Sequence, residues 1–106
     1  MLMKPVAFTL KPKPGGGAEY KRRHDAIWPE LAQVLRDASI SDYSIFLDEA
    51  THTLFAVQKQ ADARAAADLA NHSVVKKWWD YMAPLMDVHP DKSPVCGSLM
   101  SVFHLE

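Results

Sequence analysis

Cysteine is nearly absent from this chain: Cys96 is the only one among 106 residues, so no disulfide can close within it. A disulfide-stapled secreted scaffold is thereby excluded. Glycine is almost as scarce, with 4 residues, and three of them form the run Gly15-Gly16-Gly17. That run sits in neither a GxGxxG nor a GK[ST] context, so it does not read as a phosphate loop. No apolar stretch approaches the ~20 residues that a membrane-spanning helix needs. Neither sign of charge dominates: 12 lysines and arginines face 13 aspartates and glutamates, for a formal net charge of −1. A nucleic-acid-binding face would need a basic excess, and the one local cluster, Lys21-Arg22-Arg23, reads as a solvated helix face. The histidines show no HxH or HExxH spacing, so no metal site is expected. A Gly-x-Ser-x-Gly nucleophile elbow is missing too. Lys4-Pro5 has no apolar signal core behind it. Together with the lone cysteine, that leads us to expect a cytoplasmic protein.

What is present is an ordinary globular balance of 48% hydrophobic and 24% charged residues, read as one domain over 1–106. A chain this short has a thin core, and dimerisation is a natural remedy. Period-two alternation predicts strands over 6–10, 42–47, 53–58 and 98–105. Residues 11–17 are rich in proline and glycine and read as a loop. From Glu19 to about Asp37 the apolar residues recur at three and four, as on an amphipathic helix. Pro29 interrupts that pattern and should kink or break it near Trp28. The strands at 42–47 and 53–58 flank a short polar turn and form a hairpin. An alanine-rich helix is predicted over 62–69 and a second helical stretch from an N-cap at Ser73 through Met82. Residues 84–94 carry three prolines and read as an extended loop. The order β-α-β-β-α-β is that of a ferredoxin-like α+β fold, with the helices on one face of an antiparallel sheet. Tyr43 and its neighbours suggest that the second sheet face is apolar as well, and such a patch usually marks an interface.

Three groups of residues could carry chemistry. Tyr20 and His24 lie one helical turn apart and project together. A lone histidine on an apolar helix face is more often a packed core residue. Here it has a tyrosine beside it and a helix break just beyond, and histidine is the side chain best suited to move a proton near neutral pH. Trp78-Trp79 cannot both point into one core. One indole belongs there, and the other faces a cavity or a partner. Two packed indoles are the plainer reading, and a flat platform for the C–H face of a sugar is the functional one. Tyr43, on the face shared with Ile45 and Leu47, reads first as a core or interface residue. Cys96 has no base near it in sequence and reads as a small packed residue. Asp91 and Ser93 either contact a ligand or cap turns.

These same residues carry a family resemblance. The run Glu19-Tyr20-Lys21-Arg22-Arg23-His24 is followed by Ile27-Trp28-Pro29-Glu30-Leu31. Tyr43-Ser44-Ile45-Phe46-Leu47-Asp48 and Leu54-Phe55-Ala56 come next. Trp78-Trp79-Asp80-Tyr81-Met82, Pro90-Asp91-Lys92-Ser93-Pro94 and Val102-Phe103-His104-Leu105 complete the set. In this order the chain closely resembles the L-rhamnose mutarotases. YxRRH, IWPEL and a late WW pair are specific only in combination. Two departures stand out: the loop at Gly15-Gly16-Gly17 looks longer than usual, and Asp25 stands where an asparagine is common.

The resemblance implies a dimeric α+β barrel built from ferredoxin-like subunits. It implies an isomerase that interconverts the α and β anomers of L-rhamnopyranose without cofactor or metal. It casts His24 as the general acid and Tyr20, Tyr43, Trp78 and Trp79 as sugar-binding residues. Other proteins share the dimeric barrel, small monooxygenases and haem-degrading enzymes among them, and fold does not fix function. A module that senses sugar without catalysis would look the same in sequence.

Overall fold

A computed structural model describes residues 3–106. Four strands, β1 (Lys4–Leu10), β2 (Ile40–Asp48), β3 (Thr53–Gln60) and β4 (Cys96–Ser98), form one sheet in the order β2-β3-β1-β4. Every neighbouring pair is antiparallel. Four helices join them: α1 (Gly17–Asp25), α2 (Pro29–Asp37), α3 (Ala63–Asp68) and α4 (Ser73–Met82). The strand order and the single helical layer are those of the expected ferredoxin-like α+β fold.

The core lies between helices and sheet. Leu10 and Leu54 face each other across β1 and β3 and pack with Leu31 of α2 and Val75, Trp78 and Met82 of α4. Period two places Phe8, Ile45, Leu47 and Ala56 on the same inner face, while Phe46, Phe55 and Val57 point outward and stay exposed.

The helix expected from Glu19 to Asp37 is two helices. Proline at the first position of α2 loses nothing, because that N–H would lack a partner anyway. It also forces the preceding residue out of the helical region, and Trp28 is accordingly extended, at φ −61° and ψ 129°. Ile27 and Trp28 therefore form a corner, and α1 is aimed independently of α2. The loop that leads into α1 is tied at its β1 end to the segment after α4. Lys13 N–H donates to the Leu85 carbonyl (2.8 Å), and Asp87 N–H donates to the Lys11 carbonyl (2.8 Å). Gly17 lets α1 approach the sheet closely, since a Cβ there would stand 2.9 Å from Leu47 Cδ2.

Three expectations need correction. The closing strand foreseen over 98–105 is only Cys96–Ser98, paired with Phe8–Leu10 of β1. After Leu99 N–H donates to the Ala7 carbonyl (3.2 Å), residues 99–106 carry no regular structure. Alternation alone does not make a strand, which needs a neighbour to hydrogen-bond, and among the described residues none pairs with this segment. The cap of α4 is His72 rather than Ser73: its Nδ1 accepts from Val74 N–H (3.2 Å), and Ser73 is already helical. Tyr43 belongs to the inner face, edge-on to Phe8 at 6.5 Å, so the apolar outer face is made by its neighbours and not by Tyr43.

Leu54 ties the sheet to the helices through the middle of this core. Its truncation to alanine should cost about 2–5 kcal/mol of unfolding free energy. Urea denaturation of Leu54→Ala checks this, and a loss under ~0.5 kcal/mol would place the core elsewhere.

Candidate active site

Glu19 to His24 form a clamp within α1. Arg22 and Arg23 both bind the Glu19 carboxylate, at 2.5 and 2.7 Å. The two guanidinium groups hold that carboxyl down at about 2, below the usual carboxylate range. Arg23 then reaches α4: its Nη1 donates to the Tyr81 carbonyl (2.5 Å), and its guanidinium lies 4.2 Å over the Tyr81 ring. The tandem arginines thus do different work, since Arg22 is exposed while Arg23 fastens α1 to α4.

On the inner side of α1, Tyr20 is 8% exposed and stacks on His24, with ring centroids 4.2 Å apart and an angle of 21°. His24 meets Trp78 edge-on at 5.3 Å, and Trp28 meets the same indole edge-on at 5.0 Å. Tyr81 completes the cluster, 5.6 Å from Trp78 and 5.5 Å from Trp28. Trp78, 7% exposed, is a core residue, and Trp79 is half-buried against the core. Both also line a cavity of about 1430 Å³ between helices and sheet, together with Tyr20, His24 and Tyr43. The five residues singled out from the sequence therefore border one space. Asp91 lies on an exposed turn, where it accepts from the N–H and hydroxyl of Ser93.

The imidazole is oriented by its own helix. His24 Nδ1 lies 3.0 Å from the Tyr20 carbonyl oxygen, which can only accept, so Nδ1 carries the hydrogen. In the neutral ring Nε2 then keeps its lone pair. Among the described residues no buried side-chain nitrogen or oxygen lacks a partner, so Nε2, for which no protein hydrogen bond is found, keeps accessible surface on a residue that lines the cavity. Burial pushes the His24 pKa below 6.5, against weaker opposing effects of the Tyr20 carbonyl and Asp25. Asp25 is turned outward to Lys21 at 2.7 Å. Burial lifts Tyr20 above its ordinary value, with smaller contributions from Tyr43 and Cys96. Burial pushes the Tyr43 hydroxyl up to about 12, with a smaller contribution from Cys96, although 39% of the residue's surface stays exposed. Both phenols are therefore protonated donors at any physiological pH.

A family model described as L-rhamnose mutarotase matches residues 5–105. The chain belongs to the L-rhamnose mutarotase family. It is 56% identical to the L-rhamnose mutarotase of Burkholderia ambifaria and 52% identical to that of Formosa agariphila. Each likeness covers 98% of this chain and 100% of the relative. The crystal structure of the Formosa agariphila L-rhamnose mutarotase superposes with a TM-score of 0.91 at 51% identity, covering 97% of this chain and 99% of that one. The cavity and its five aromatic and imidazole residues thus stand on the fold of that family.

Sequence reasoning missed Trp28, Tyr81 and Arg23 as parts of the site's frame. IWPEL and YxRRH contain two of them, but only the corner at Pro29 brings Trp28 back onto Trp78. The hydrogen bond at Nδ1 and the burial of the ring make a measurable pair of expectations. Nitrogen-detected NMR of His24 should show the Nδ1–H form at neutral pH and a titration midpoint below 6.5. A midpoint above 6.5 would mean that an unrecognised anion faces Nε2.

Proposed function

We propose that this protein interconverts the α and β anomers of L-rhamnopyranose, with His24 as the group that moves the proton. The observation that carries this reading is the open Nε2 of an oriented, neutral imidazole inside an aromatic cavity. Mutarotation breaks the bond between C1 and the ring oxygen and remakes it on the other face of C1. The C1 hydroxyl must lose a proton and the ring oxygen must gain one, so the balance is closed without oxidant, metal or cofactor.

The resemblance casts His24 as the acid. A neutral His24 accepts first: Nε2 takes the C1 hydroxyl proton as the C1–ring oxygen bond lengthens and the C1 carbonyl forms. The Tyr20 carbonyl supports the imidazolium at Nδ1–H. The imidazolium then delivers the same proton to the ring oxygen, giving the open aldehyde. Both oxygens sit on C1, within reach of one nitrogen. Rotation about C1–C2 and the reverse steps give the other anomer. Tyr20 and Tyr43 donate to sugar hydroxyls, and Trp79, the less buried indole, offers its face to the C–H face of the ring while Trp78 backs His24. A positioned proton-transfer group is typically worth ~10²–10⁴-fold.

We propose further that two copies pair through the exposed sheet face. Phe46, 62% exposed, lies there with Phe55 and Val57, and Phe103, 78% exposed, lies in the apolar tail that follows β4. Covering such a patch with a second copy removes it from water. The free thiol of Cys96 suits the reducing cytoplasm.

Saturation-transfer NMR at anomeric equilibrium tests the activity. Wild type should exchange the α and β anomeric protons of L-rhamnose, and His24→Ala should lose roughly 10²–10⁴-fold of that rate. Binding without exchange by wild type would point to a sugar sensor instead. The pH profile has a definite sign. Protonation removes the Nε2 lone pair, so kcat/KM should be flat above pH 7 and fall on acidification through the His24 pKa, below 6.5. A rate that rises through that range would show the imidazolium to be the reactive form.

A further inference from the structure

We propose that Gln58 contacts the substrate: one end of its amide hydrogen-bonds a ring hydroxyl of the bound pyranose and helps decide which sugars fit. This deepens the proposed mutarotase function and rests on it.

Gln58 lies on the inner face of β3, two residues beyond Ala56 and four beyond Leu54, where the neighbouring positions are apolar. At 4% exposure it is as buried as the core leucines, and it lines the same cavity as Tyr43 and His24. Only one end of its amide is occupied. Gln60 Nε2 donates to Gln58 Oε1 at 2.7 Å, and the other end has no partner among the described residues. Since no buried side-chain polar atom there is left unsatisfied, that free end keeps accessible surface, and the residue lines the cavity. Burying an amide on an apolar face is costly unless it is hydrogen-bonded, and leucine would fill the place without that cost. A sugar hydroxyl, both donor and acceptor, complements the amide whichever end is turned outward.

The strand beside it supplies an independent observation. The β2–β3 ladder runs from Ser41 opposite Lys59 to Ser44 opposite Val57, so Asp42 and Tyr43 together stand opposite the single residue Gln58. This is a bulge, a device that re-aims a side chain and recurs next to active sites. Asp42 takes a positive φ of 47° within it, and its carboxylate is tied across to Lys59 Nζ at 3.1 Å. The bulge therefore sets Tyr43 beside Gln58, with Val6 on the other flank. A phenol and an amide then present adjacent hydrogen-bonding groups to one ligand.

The test compares wild type with Gln58→Leu, using L-rhamnose and its 2-deoxy, 3-deoxy and 4-deoxy analogues. Kd is read by NMR titration of the protein and turnover by saturation transfer. Gln58→Leu should weaken L-rhamnose binding roughly tenfold, with kcat little changed. One of the three deoxy sugars should bind both proteins equally, because it lacks the contacted hydroxyl, while the other two keep the tenfold difference. Equal losses across all four sugars, or no loss at all, would overturn the contact. Gln58→Met, nearly isosteric, is run alongside. A packing defect in either variant lowers Tm without any pattern across the sugars, which also counts against the proposal. Wild type that binds L-rhamnose without exchanging its anomers overturns the mutarotase function and leaves the Kd pattern to judge Gln58. Wild type that binds none of the four overturns both.

Discussion

The indole of Trp78 is where core and site become one object. It meets His24 and Trp28 at near right angles, leans against Tyr81, and belongs to the same core cluster as Leu10, Leu54 and Leu31. Close-packed interiors transmit small displacements instead of absorbing them, so the imidazole is placed only as well as α4 is seated on the sheet. The link between Arg23 and Tyr81 serves the same end from outside, because it fixes α1 to α4 beside the stacked Tyr20 and His24. A site of this kind is rigid through shared packing, with few hydrogen bonds of its own.

Burial also sorts the protonation states. Removing water disfavours the charged form of each group, which holds an imidazole neutral and phenols protonated by the same mechanism. His24 therefore rests as a base, while Tyr20 and Tyr43 remain donors. The Tyr20 carbonyl decides which imidazole nitrogen keeps its lone pair. One residue thus serves twice: its backbone sets the tautomer of His24, and its ring stacks on it. The spacing of four in Tyr20-Lys21-Arg22-Arg23-His24 makes both possible at once.

Much of this was legible in the sequence, for reasons that can be named. Two-residue alternation marks a half-buried strand wherever a neighbour exists, and it placed β1, β2 and β3 within two residues of their ends. Pro29 announced the break between α1 and α2 because its ring constrains both itself and Trp28. Tyr20, His24, Tyr43, Trp78 and Trp79, which the family resemblance singles out more than periodicity does, border one cavity. Gln58 was not foreseen: a glutamine in a short strand has no signal until the register shows which face it takes and that a bulge stands opposite. The cap at His72 was misplaced by one residue because a serine is the commoner cap and a histidine ring nitrogen can do the same work.

The tail after β4 was misread for a more instructive reason. Its alternating pattern is that of a strand, yet hydrogen bonding is a property of pairs, and a sequence states only one member. Within one copy, β4 occupies three residues of β1, and the chain then leaves the sheet. The edge of β2 and the outer face around Phe46 are left uncovered at the other side of the same sheet. An apolar segment with strand periodicity and an open strand edge are complementary requirements, since the first lacks a hydrogen-bonding neighbour and the second lacks a cover. Under the proposed pairing of two copies, each requirement is met by the other copy. Under that pairing the pattern in residues 99–105 is a strand pattern addressed to the other copy.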